Sequence, residues 1–119
     1  MTRLRPAQWA LLVYLSMAIA ILGPALTELQ SVAIGTPSAD AEKHIWSQWW
    51  VWSQLSGGQG IPLQTQGIFF PDGGPFFSLE TGNTLLSLPL RPWLEPLAVY
   101  NLLYLFHMVA AAWACWWLA

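Results

Sequence analysis

Asp40, Glu42 and His44 stand at alternate positions in the stretch SADAEKHIWSQWWVWSQL. Two carboxylates this close, near the start of a helix, can hold a divalent cation such as Mg or Mn through hard oxygen ligands. Alternatively, one can act as a general base while the other tunes its charge. His44 can orient the Asp40 carboxylate or bind an anionic group of a substrate. The same residues have a plainer reading, in which both acids complement the positive end of a helix dipole and His44 is an interfacial histidine with no task. Further along, Arg91 is an isolated cation, able to hold a lipid phosphate or simply to anchor the chain at a membrane edge. Glu28 reads as a membrane-edge charge or as a second acid facing the same cavity, and Asp72 as a turn residue. Glu80 and Asn83 can contact a polar ligand or remain solvated. Asn101 and His107 fall within an apolar run, where polar side chains more often bond between helices than catalyse. No Gly-rich phosphate loop, nucleophile elbow or HExxH metal motif is present.

The element that must position the first three residues is a helix over 39–55. Ser38 supplies its cap, Pro37 precedes it, and Asp40 and Glu42 fall in its first turn. Asp40, His44, Ser47 and Gln48 share one face, while Ile45, Trp46, Trp49, Trp50 and Trp52 form a broad apolar arc. Tryptophan favours the membrane interface, so this helix is predicted to lie along a membrane surface rather than cross it. SGGQGIP ends it. The PDGG turn follows, flanked by Phe69, Phe70, Phe76 and Phe77, whose rings can dip into lipid or pack beneath the tryptophan helix. A second amphipathic helix is predicted over 82–94, with Pro89 and Pro92 turning the chain.

Composition supplies the surroundings. Of 119 residues, 55% are hydrophobic and 8% charged, against about a quarter charged in an ordinary soluble domain, so a membrane protein is expected. Residues 1–27 read as a short N-terminus and a first transmembrane helix, 28–95 as a large extracytoplasmic loop, and 96–119 as a second transmembrane helix. Arg3 and Arg5 precede the first span and all six acids lie between the spans, which predicts a cytoplasmic N-terminus. A cleaved signal peptide shares the basic start and apolar core, but no small-x-small cleavage site directly follows the core. The net charge of −2, with no basic run, argues against nucleic acid as a partner. Cys115 has no second cysteine to pair with. The fold class expected is an all-α membrane protein with two spans joined by a loop of interfacial helices. The second span runs to the last residue without a polar flank, and the chain reads as a fragment of a larger helical bundle.

The order of a basic N-terminus, a span, an acid followed by HIWSQWW, then P-x-x-T-x-G-x-x-F-P-x-G, LSLPL, PL-x-x-YNLLYL and an Ala-rich end resembles the N-terminal part of bacterial polytopic GT-C glycosyltransferases. These are related to protein mannosyltransferases, oligosaccharyltransferases and aminoarabinose transferases. The resemblance spans nearly the whole chain through loose motifs. It implies a multi-pass enzyme of the inner (plasma) membrane that moves a sugar from a polyprenyl-phosphate donor to an acceptor at the extracytoplasmic face. Its partners would be membrane lipid and the remaining transmembrane helices of the full-length protein. It also implies that the acidic motif of the first loop, matched here by Asp40-Ala41-Glu42 as Asp-x-Glu, supplies the catalytic base or a metal ligand. His44 would orient and Arg91 would contact phosphate. The competing expectation is a non-catalytic multi-pass protein, a transporter or assembly subunit, whose Trp-rich loop only docks.

Overall fold

The computed structural model describes residues 5–35, 39–76 and 81–119. Arg3, Thr36, Pro37, Ser38, Phe77 and Glu80, and with them the proposed helix cap, lie outside these residues. The described residues are mostly helical, with α1 at Pro6–Thr27, α2 at Ala39–Ser56, α3 at Thr81–Ser87 and α4 at Pro96–Leu118. Between α2 and α3 a short antiparallel pair, β1 (Gln64–Thr65) and β2 (Gly74–Pro75), departs from the all-helical expectation. Gly73 allows it: its φ of 73° suits glycine, and a Cβ there would stand 2.9 Å from the Thr65 carbonyl oxygen.

Two helices are long and apolar enough to cross a membrane. At about 1.5 Å per residue, α1 and α4 measure about 33 and 35 Å, close to a hydrocarbon thickness of about 30 Å. Each opens with proline in the first turn, where the missing N–H would have no helical partner anyway. Gln8 Oε1 accepts the Arg5 N–H at 2.8 Å and closes the start of α1. Gly23-Pro24 does not end this helix. It continues to Thr27, whose hydroxyl donates to the Pro24 carbonyl at 2.8 Å while the Glu28 N–H donates to Ala25 at 3.2 Å.

α1 and α4 pack antiparallel. At one end, Trp113 Nε1 donates to the Ala7 carbonyl at 3.2 Å. At the other, Asn101 is fully buried and holds the chain leaving α1: its Oδ1 accepts the Ile34 N–H at 2.8 Å, and its Nδ2 donates to the carbonyls of Leu29 at 3.0 Å and Val32 at 2.7 Å. Ala18 on α1 and Ala98 on α4 are small and buried.

α2 packs against α3 and α4, and α3 against α4. The polar face of α2 turns inward: Ser47, Gln48 and Val51 are buried, whereas Trp49 is half exposed. Trp46 stacks parallel to Trp50 at 6.1 Å and meets Phe76 edge-on at 5.8 Å. One phenylalanine of the turn therefore packs beneath the tryptophans, while Phe69 and Phe70 are left at 77% and 83% exposure. The predicted helix over 82–94 is shorter than expected. It ends at Ser87 and gives way to successive turns, because Pro89 and Pro92 lack the N–H groups a longer helix would need.

Candidate functional site

Asp40, His44 and Gln48 recur every fourth residue on α2, and Asn83 of α3 joins them across a cavity of about 680 Å³. The wall opposite is α4, through Tyr100, Tyr104 and His107. That volume lies within the range of about 300–1,000 Å³ common for small-ligand sites. From Tyr100 to Met108 the wall runs about 12 Å along α4. The Asn101 clasp fixes the near rim, since it ties Ile34 down beside Gly35, which also lines the cavity. Tyr100 adds to it by donating its hydroxyl to the Ile34 carbonyl at 3.3 Å.

Asp40 is exposed and ion-paired with Lys43 at 3.0 Å. The hydrogen bond and charge of Lys43, helped by His44, hold its carboxyl below the usual carboxylate range, so it stays ionised across neutral pH. An ionised carboxylate at a cavity rim accepts hydrogen bonds from hydroxyl groups strongly. His44, one turn further on, is half buried on the same wall.

The structure thus brings Asp40, His44, Asn83 and His107 together, and leaves the other predicted residues apart. Glu42 is exposed and does not line the cavity, because two residues of helix turn it about 200° from Asp40. Glu42 therefore does not share the cavity wall with Asp40. Among the described residues no group of three or more His, Cys, Asp and Glu is placed to hold a metal ion. Arg91 is buried within the turns that follow α3, with its guanidinium donating to the Leu94 carbonyl at 3.0 Å. Burial lowers its pKa, partly opposed by the charge of Glu95. It is absent from the cavity wall, and its hydrogen bond serves the turn rather than a phosphate.

No family model, curated protein or solved structure matches this chain.

Glu28 lines a neighbouring groove of about 370 Å³ beside the end of α1, separate from Asp40's cavity although Gly35 borders both. Asp72 is an exposed turn residue. Sequence reasoning passed over Tyr100 and Tyr104. The signal was available: with His107 they fall at four and three residue spacings, which puts them on one face of α4.

Proposed function

We propose that this chain is the N-terminal portion of an integral-membrane glycosyltransferase that takes sugar from a polyprenyl-phosphate donor at the extracytoplasmic face. The observation that supports it best is the cavity itself, where the Asp40 carboxylate, ionised at neutral pH, meets His44, Asn83 and His107 from three helices beside two membrane-length helices. In this reading α1 starts in the cytoplasm, residues 28–95 lie outside, and further transmembrane helices complete the donor pocket. Tryptophans of α2 set the depth of the helix at the interface, where a lipid-linked substrate arrives.

The chemistry assigned to Asp40 is to accept the hydrogen bond of an acceptor hydroxyl and take its proton as the oxygen bonds to the anomeric carbon. The bond from that carbon to phosphate breaks, and polyprenyl phosphate leaves with its electron pair. His44 and Asn83 orient the hydroxyls. Asp40's lowered pKa makes it a weak base but a constant hydrogen-bond acceptor, so orientation is its larger part.

The non-catalytic reading draws on one observation, the exposure of the Asp40–Lys43 pair, which suits a helix-terminal ion pair of little energetic weight. Transfer of labelled sugar by full-length protein in vesicles, with and without Asp40→Asn, separates the two. Undiminished transfer by a normally expressed variant would refute the catalytic assignment.

A further inference from the structure

The residues that α2 gives to the cavity become more enclosed along the helix. Asp40 is exposed, Ala41 and His44 are half-buried, and Gln48 is only 2% exposed. Eight residues of helix set Asp40 and Gln48 about 12 Å apart on one face, so the wall runs from an open mouth to an enclosed end.

Gln48 differs from the other buried amide of the fold. Asn101 is bonded three times, to Ile34, Leu29 and Val32. Gln48 Oε1 is buried with no hydrogen-bond partner among the described residues, although a buried carbonyl oxygen of this kind ordinarily has one. With no bond to break at Oε1, the carboxamide can turn to meet a ligand in the cavity that Gln48 borders.

What enters the enclosed end decides whether this oxygen stays bare. An alkyl chain or an ionised phosphate brings no donor and would seal it off unpaired, at a loss of affinity. A hydroxyl brings a donor, and its own oxygen can accept from the amide N–H groups. The wall opposite, with Tyr100, Leu103, Tyr104 and Met108, is largely aromatic and apolar, which suits the C–H face of a sugar ring.

We propose that the cavity takes a carbohydrate, with one hydroxyl meeting Asp40 at the mouth and a second donating to Oε1 of Gln48 at the enclosed end. Gln48 is then a specificity residue, which disfavours a ligand lacking the second hydroxyl. The inference rests on the proposed function only in naming this carbohydrate as the acceptor. That choice excludes a lipid alcohol or a protein side-chain hydroxyl, each of which would present a single hydroxyl at the mouth.

The test measures dissociation constants of the methyl α-glycosides of mannose, glucose and galactose, and of their monodeoxy forms, by saturation-transfer NMR on the full-length protein in lipid nanodiscs. At least one parent glycoside should bind, and removal of one particular hydroxyl should weaken it roughly tenfold or more. Gln48→Met, which keeps the length of the side chain without its amide, should bind the parent as weakly as that deoxy form and be indifferent to the missing hydroxyl. Gln48→Asn, a milder change that shortens the reach of the amide, should move both values in the same direction and serves where the methionine variant does not fold. Absence of binding by all three parents, equal binding of every deoxy form, or a deoxy loss unchanged in both variants would overturn the proposal. Selective binding without any sugar transfer by the same protein would leave the Gln48 contact standing and remove the glycosyltransferase reading.

Discussion

Lys43 lowers the pKa of the exposed Asp40 carboxyl through its hydrogen bond and its charge. Because the folded carboxyl titrates below its usual range, any contribution from the pair is present above the ordinary carboxylate pKa. It is lost as pH falls through the depressed value. Full exposure leaves it without measurable weight in stability. Lys43→Met should raise the midpoint of Asp40 in a carboxyl 13C NMR titration and leave thermal unfolding unchanged. An unmoved midpoint would contradict the pairing. Asn101 is the opposite case, fully buried with three hydrogen bonds. Asn101→Leu strands one N–H and two carbonyls, at a cost on the order of 2–4 kcal/mol, read from denaturant unfolding in micelles. A loss within experimental error would mean that the exit segment is held by something else. Side-chain chemistry at Asp40 and His44 was legible in the sequence because four residues separate them, one helical turn. Glu42 was grouped with them by proximity along the chain, and helical rotation undoes that grouping. Arg91 looked like an exposed anchor because its neighbours in sequence are apolar, and nothing in the pattern showed that the turns around it would fold over the guanidinium.

Among the elements, both long helices were legible almost to the residue, since proline at their starts and the charge-free runs mark their limits. The short β pair was not, because two residues per strand carry no alternation to read. It depends on contacts made after the chain turns: Gly73 in a left-handed conformation, the Phe69 ring against Gly74, and the Phe76 N–H donating to the Leu63 carbonyl at 2.9 Å. Gly73→Ala should destabilise this pair by about 1 kcal/mol or more, from both the positive φ and the approach to Thr65. The readout is faster hydrogen exchange at the Phe76 amide, with exchange in α4 unchanged. Equal protection in both proteins would show that the strain is relieved elsewhere. The inward turn of Ser47 and Gln48 was similarly hidden, because a polar face is ordinarily the wet one; here it packs toward α3 and α4 and borders a cavity.

For the whole molecule, the antiparallel pairing of α1 and α4 has a topological consequence. If both helices cross the membrane, Cys115 near the end of α4 lies on the same side as Arg5, and the residues between the helices lie on the other. A membrane-impermeant thiol reagent applied to intact cells should label a cysteine introduced at Ser56 and spare Cys115, which becomes reactive only after the membrane is opened. The reverse pattern would invert the topology, and labelling of both without permeabilisation would remove the spans. The extent of 61 Å along the longest axis, against about 35 Å for either helix, leaves room for a layer of α2, α3 and the β pair beyond the spans. In the proposed function this layer carries a sugar-transfer site built on Asp40, which lines the cavity, rather than on the Asp40 and Glu42 pair. Its most direct test compares sugar transfer by full-length Asp40→Asn and Glu42→Gln at equal expression. The account predicts a loss of about 100-fold or more for the first and a change of less than about threefold for the second. Equal losses, or full activity in Asp40→Asn, would contradict it.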